Sequence, residues 1–235
     1  MANDMPDLPV IEFRNVSFSY SETESLYKDI SFSLMKGAFY LIKGPSGVGK
    51  STLLRLMNRM EEPTSGDIFL NGNSYTVRFS PELRTSVIYI QQIPVLFDGT
   101  IKENLLLPFN FRANRHLDKP EDTVLENYLS EFKLEKIRLD RSANQLSAGQ
   151  AQRLCLIRGL LLSPEVVLFD EPVSALDKES SDIVEAYAEK LCIERGITVV
   201  MVSHKDFIPK RVEPFFMVVS DDGVSFNDTT EVIKE

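Results

Sequence analysis

The sequence predicts an α/β fold with a mainly parallel sheet, an N-terminal antiparallel β subdomain and an inserted helical subdomain. Three observations predict it. Short apolar runs at 39–42, 87–90, 166–169, 197–202 and 215–219 are separated by stretches of helical periodicity, the pattern of a parallel sheet covered by helices. Residues 10–40 instead alternate apolar with polar, as half-buried antiparallel strands do. From about 100 to 162 the pattern is helical throughout, which places an inserted subdomain at about 97–162 of a single domain spanning 8–235.

The elements follow in order. Ile11 and Phe13, then Val16, Phe18 and Tyr20, then Ile30, Phe32 and Leu34 mark the alternating strands, and Gly66 and Gly72 bracket a further one at Ile68-Phe69-Leu70. Phe39-Tyr40-Leu41-Ile42 is an apolar strand, and Leu53, Leu54, Leu56 and Met57 recur beyond it at helical spacing. Val87 to Ile90 is the next strand, ending at Gln91-Gln92. Within the helical region Val124, Leu125, Tyr128, Leu129 and Phe132 share one face, and Leu154, Leu156, Ile157, Leu160 and Leu161 belong to another helix. A helix near 178–194 separates the strands at 166–169 and 197–202. There is no internal repeat or low-complexity tract.

Chemistry concentrates at two strand ends. Residues 44–51 read Gly-Pro-Ser-Gly-Val-Gly-Lys-Ser between a strand and a helix. Gly44, Gly47 and Gly49 let successive N–H groups turn inward onto phosphate oxygens. Lys50 brings a positive charge to the β- and γ-phosphates, Ser51 offers a hydroxyl to Mg²⁺, and the helix N-terminus favours the anion. Pro45, Ser46, Val48 and Thr52 complete the loop and its first helical turn. The second strand end is Val166-Val167-Leu168-Phe169-Asp170-Glu171. Asp170 is placed to hold Mg²⁺, mainly through water, and Glu171 to orient and deprotonate an attacking water. The competing reading of this pair is a turn into the next segment through Pro172. With the glycine loop in the same chain, the pair points to binding and hydrolysis of a nucleoside triphosphate on a P-loop NTPase core.

Composition narrows the classes. The 235 residues are 43% hydrophobic and 26% charged, an ordinary globular balance. A net charge of −9 argues against a surface that coats nucleic acid. Cys155 and Cys192 have no metal-ligand spacing and read as packed thiols of a reducing compartment. The first ten residues carry neither a basic nor an apolar leader segment, and no apolar run approaches the roughly 20 residues that cross a bilayer. The expectation is therefore a cytoplasmic chain that serves a membrane through a partner.

Further motifs carry a resemblance. Leu146-Ser147-Ala148-Gly149-Gln150 followed by Gln152-Arg153, Gln92 ahead of Ile93-Pro94-Val95-Leu96-Phe97, Ser174-Ala175-Leu176-Asp177, and His204 after an apolar strand together resemble the ATP-binding subunits of ABC transporters over nearly the whole chain. The resemblance implies that Tyr20 stacks on adenine, although an alternating strand can equally bury it. It also implies that Gln92 meets Mg²⁺ and water, and that His204 meets the γ-phosphate. Ser147, Gly149 and Gln150 would cap ATP held by a second copy, with Asp177 crossing nearby, in a homodimer with ATP at its interface. Ala148 stands where glycine is commoner, and its methyl would hinder that approach if the position needs positive φ. His116 reads as surface.

The resemblance also implies a groove for a helix of an integral membrane permease. Phe97, Leu105, Leu106, Leu107, Pro108, Phe109 and Phe111 supply an apolar surface for it, with core packing as the alternative reading. The chain would then sit peripherally at the inner face of the cell membrane, with no nucleic-acid partner. The words around Thr100–Leu105 and Leu107-Pro108-Phe109 are similar to the FetA-type ATPases of bacterial iron exporters. Phosphate-import ATPases share some of them, and ABC ATPases that act on ribosomes or DNA share the ATP motifs.

Overall fold

The computed structural model describes residues 9–21, 24–77, 80–203 and 207–227. In chain order, β1 (Pro9–Ser21) and β2 (Glu24–Met35) form a long hairpin, and β3 (Phe39–Lys43) runs into the glycine loop and α1 (Lys50–Met57). Then come β4 (Ser65–Leu70), β5 (Asn73–Ser74), α2 (Ser80–Ser86) and β6 (Val87–Ile90). The helical stretch supplies α3 (Ile101–Leu106), α4 (Asp122–Glu131) and α5 (Ala148–Leu160). The chain closes with β7 (Val166–Asp170), α6 (Lys178–Arg195), β8 (Thr198–Val202), β9 (Phe215–Ser220) and β10 (Gly223–Asn227).

Two sheets result. The antiparallel one has the order β2-β1-β4-β5, and its strand pattern explains a slip in the sequence alternation. Apolar residues step by two from Ile11 to Phe13, by three to Val16, then by two again. The register shifts between Phe13 and Val16, where Asn15 takes φ +48°. One extra residue there restores Val16 and Phe18 to the buried face. β2 answers with Asp29 at φ +50° between Tyr27 and Ile30. Phe13 and Phe32, paired across the hairpin, stack at 4.4 Å.

The second sheet has the order β10-β9-β3-β8-β7-β6, parallel except for the β9–β10 pair. β3, β7 and β8 are buried on both faces, and β6 and β9 largely so, which is why they read as unbroken apolar runs, whereas β10 is an exposed edge strand. Tyr40, Ile42, Leu168, Val200 and Val202 face α1 and the antiparallel sheet. Phe39, Leu41, Val167, Phe169, Val199 and Met201 face the helices α3 to α6. The C-terminal ends of β3, β6, β7 and β8 therefore lie along one edge, where ligands bind in open α/β sheets. Two expectations need correction. Val124 is exposed, because α4 buries only the Leu125 and Leu129 stripe, and β10, β5 and α2 are additional elements.

Candidate nucleotide site

The turn out of β3 demands glycine. A Cβ on Gly44 would lie 2.2 Å from the Val219 carbonyl of β9, so no other residue lets the loop pass so close. Gly49 takes φ +110°, its carbonyl accepts a 3.0 Å bond from the Tyr27 hydroxyl, and a Cβ there would meet that same oxygen at 2.9 Å. Gly49 offers no side chain to cap α1, and no acidic residue occupies the first turn, so the first amides of α1 lack a side-chain cap and suit an anion.

A cavity of about 310 Å³ opens at this point, lined by Tyr20, Gly47, Lys50, Ser51, Thr52 and Glu171 with Leu26, Ser46 and Gly49. Lys50 is buried, and its ammonium donates to the carbonyls of Gly44 at 2.8 Å and Pro45 at 2.7 Å. Burial lowers the Lys50 pKa, and the nearby carboxylates of Glu171 and Asp170 oppose that shift. Ser51 donates to Asp170 Oδ1 at 2.9 Å, tying the loop to the end of β7. Tyr20 is half exposed rather than core. Its hydroxyl shares a 2.6 Å bond with Thr52 and accepts from Arg55 Nη2 at 2.8 Å, which leaves the ring standing at the cavity wall.

Glu171 sits at φ +49°, a left-handed conformation that costs roughly 1–3 kcal/mol for a residue with a side chain. Its amide donates to the Val202 carbonyl at 3.2 Å, which holds the turn against β8. Gln92, at the end of β6, donates through Nε2 to Glu171 Oε2 at 3.1 Å and to Ser174 Oγ at 3.0 Å. Thus the cavity lining and its immediate partners bring together the loop, Tyr20, Gln92, Asp170 and Glu171. Gly44, Pro45 and Val48 do not line the cavity; Gly44 lies against β9, and Val48 packs on the core. His204 lies outside the described residues.

Ser147, Gly149, Gln150 and Asp177 stand apart from this cavity and serve helix ends. Ser147 and Gln150 form a reciprocal capping box on α5, at 3.3 and 3.0 Å. Asp177 caps α6 by accepting from the Ser180 amide and hydroxyl, and these bonds hold its carboxyl below the usual carboxylate range. Gly149 packs α5 onto α6, where a Cβ would come within 2.3 Å of Ser180 Oγ. Ala148 is the first residue of α5 and has no positive φ, so its methyl brings no backbone strain.

The donor set suits Mg²⁺. Ser51, Gln92 and Asp170 offer oxygen atoms alone. Among the described residues no cluster of three or more His, Cys, Asp or Glu forms an all-protein cage. Magnesium is characteristically held by one or two protein oxygens plus the phosphates of its nucleotide. Sequence reading overlooked Tyr27, Arg55 and Tyr89. Only Tyr89 left a signal, as the one polar group in the strand Val87–Ile90.

A larger cavity of about 940 Å³ lies between α2, β6, the Gln92 segment and α5. Ile88, Ile90, Ile93, Val95, Pro108 and Phe111 supply its apolar wall, and Arg84, Arg112 and Arg158 contribute positive charge. Arg158 Nη2 donates to the Val95 carbonyl at 2.9 Å, while its Nη1 is buried without a hydrogen-bond partner. The expected docking surface changes accordingly. Leu105 and Phe109 are core, whereas Ile93, Val95, Phe97 and Phe111 are exposed.

Comparison with known proteins agrees with this geometry. The family model described as ABC transporter matches residues 27–174, more than half of the chain. The chain is 36% identical to the probable iron export ATP-binding protein FetA of Escherichia coli K12, covering 83% of this chain and 85% of that one. It is 35% identical to ABC transporter I family member 17 of Arabidopsis thaliana, over 96% and 82% of the two chains. Among solved structures, cbiO1 from Clostridium perfringens, part of an ABC transporter complex, superposes with a TM-score of 0.81 at 25% identity, covering 97% and 91%. A dimeric ATP-binding cassette in a post-hydrolysis state with ADP and Pi superposes with a TM-score of 0.74 at 27% identity, covering 93% and 98%. A glycine loop, a strand-end carboxylate pair and this likeness along nearly its whole length make the chain a member of the ABC transporter ATP-binding family, an ATPase.

Proposed function

We propose that residues 8–235 act as one ATPase domain that powers a separate membrane permease, with iron export as the transport function. The observation that carries the catalytic part is the convergence of Lys50, the open N-terminus of α1 and Glu171 on one cavity. In this reading the loop residues hold the triphosphate, with Lys50 leaving the Gly44 and Pro45 carbonyls for phosphate oxygens. Tyr20 stacks on adenine. Glu171 takes a proton from the attacking water, Gln92 orients Glu171, and His204 meets the γ-phosphate. Ser51, Asp170 and Gln92 would hold Mg²⁺, which neutralises charge on the phosphates when bound.

The separation of Ser147–Gln150 and Asp177 from the cavity supports a second copy supplying them, and the related dimeric cassette with ADP and Pi supports the same arrangement. No described helix is long and apolar enough to cross a membrane. Likeness to cbiO1, part of an ABC transporter complex, and to an iron export ATP-binding protein supports a permease on another chain and a peripheral place at the inner face of the cell membrane. The net charge of −9 supports a protein partner rather than nucleic acid. Likeness to the iron-export protein supports the cargo.

Glu171→Gln is expected to retain ATP affinity, lose about 10²–10⁴-fold in phosphate release and accumulate an ATP-bound dimer on size exclusion. Turnover at the wild-type rate would remove Glu171 from the role of base. For the cargo, cells lacking this chain should retain more iron under iron load, restored by the wild type and not by Glu171→Gln. Unchanged iron content would leave the ATPase standing without this transport function.

A further inference from the structure

We propose that the Tyr89 hydroxyl is a positioning group of the ATPase site, fixing the Asp170 carboxylate by its second oxygen so that the first faces the phosphate loop. The inference rests on the reading of Asp170 as a metal-holding residue. β6 and β7 run parallel with Tyr89 opposite Leu168, so Tyr89, Leu168 and Asp170 project from the same face of the sheet, the face under α1. The tyrosine ring lies along that face, and its hydroxyl donates to Asp170 Oδ2 at 2.6 Å. Ser51, the second residue of α1, donates to Oδ1 at 2.9 Å. A buried carboxylate is thereby held at both oxygens by two hydroxyls from different elements. A phenol is protonated at neutral pH and the carboxylate can only accept, so the tyrosine is the donor of this bond.

The same segment holds the neighbouring carboxylate as well. Three residues beyond Tyr89, Gln92 donates to Glu171 Oε2 at 3.1 Å. One short stretch leaving β6 therefore engages both Asp170 and Glu171. Any shift of that stretch reaches both groups together, whereas a change at Gln92 alone reaches only Glu171. Tyr89 does not itself line the nucleotide cavity and reaches the site through Asp170, with Arg55 as a second side-chain neighbour. Its effect belongs in the affinity for the metal rather than in the grip on the nucleotide. Partners that orient a ligating group from behind typically contribute 10–100-fold to metal affinity.

Tyr89→Phe deletes only the hydroxyl and keeps the ring in the core. Binding of a fluorescent non-hydrolysable ATP analogue is titrated in EDTA and then across a magnesium series, for wild type, Tyr89→Phe and Asp170→Asn. In EDTA, Tyr89→Phe should bind the analogue within about two-fold of wild type, which also reports that it folds. The magnesium concentration that half-restores tight binding should rise about 10-fold or more. A magnesium midpoint equal to wild type, or an equal loss with and without magnesium, overturns the role of Tyr89. If Asp170→Asn keeps the wild-type magnesium midpoint, the assignment of Asp170 fails, and this inference with it. If Asp170→Asn loses its magnesium response while Tyr89→Phe keeps it, the Tyr89 inference alone fails.

Discussion

Lys50 is the charge on which the phosphate loop turns. Its ammonium is buried, has both nearby carbonyls as acceptors and has two carboxylates within electrostatic reach. Burial lowers its pKa, and the carbonyl acceptors and the two carboxylates favour the charged form against that. Lys50→Ala removes the charge-assisted bonds to phosphate, each worth about 1.5–3 kcal/mol. Nucleotide affinity should fall about 10- to 100-fold in a fluorescent-ATP titration, with little change in thermal stability because the Pro45 carbonyl lies at an exposed residue that water can reach. An unchanged dissociation constant would mean that the loop amides alone hold the triphosphate. At this scale the sequence was most legible, since a glycine, a lysine and a carboxylate pair at strand ends have few other uses together. The supporting groups were not legible. Tyr27, Arg55 and Tyr89 act through contacts made across elements 22 to 81 residues apart, and no local pattern records such distances.

At the scale of elements, strand runs and helix periodicity marked β3, β6, β7, β8 and β9 because two-sided burial leaves an unbroken apolar signature. β10 and α2 escaped because they carry few buried residues, Leu83 alone in α2. The link between α4 and α6 was also invisible, since it joins the helical stretch to the nucleotide core through one carboxylate. Glu131 at the end of α4 accepts from Lys190 at 2.6 Å and from Tyr187 and Arg195 at 2.9 Å each, all on α6. Phe132 meets the Tyr187 ring at 3.8 Å beside them. Burial by itself would raise the Glu131 carboxyl, but the bonds from Lys190 and Tyr187 and the charge of Arg195 hold it below the usual carboxylate range. A depressed pKa places the sign. The stabilisation is full above the unfolded value of about 4.3 and is lost as pH falls through the folded value. A partly exposed network of this kind contributes on the order of 1 kcal/mol. Glu131→Gln should lower the melting temperature by about 2–4 °C at pH 7, and that gap should narrow as pH falls below the unfolded value of about 4.3 and vanish once it passes the depressed folded value. A gap that stays constant from pH 7 to 3.5 in circular dichroism melts would show that Glu131 does not titrate as the link requires.

For the whole molecule, charge and shape decide how a chain of this kind reaches a membrane. In the proposed place at the inner face of the membrane, the anionic leaflet would repel a chain with net charge −9 rather than hold it. Attachment therefore needs a local surface. The 940 Å³ cavity beside the Gln92 segment combines an apolar wall with Arg84, Arg112 and Arg158 in an otherwise acidic chain, and it leaves Arg158 Nη1 and Asn114 Oδ1 buried without hydrogen-bond partners. In the proposed reading, a permease helix would seat its apolar face against that wall and offer polar or acidic groups to the arginines. Phe111, about half exposed on the cavity wall, is the residue through which to test this. Phe111→Asp places a charged carboxylate where an apolar face must dock, yet it sits away from the residues lining the nucleotide cavity. Wild-type chain should sediment with host membranes and stay there in 0.5 M salt, because an apolar seat is not screened as surface charge is. The Phe111→Asp chain should move to the supernatant while its affinity for the fluorescent ATP analogue stays within about two-fold, with ATP affinity serving as the control for folding. If that variant remains with the membranes as firmly as the wild type, docking occurs elsewhere on the molecule.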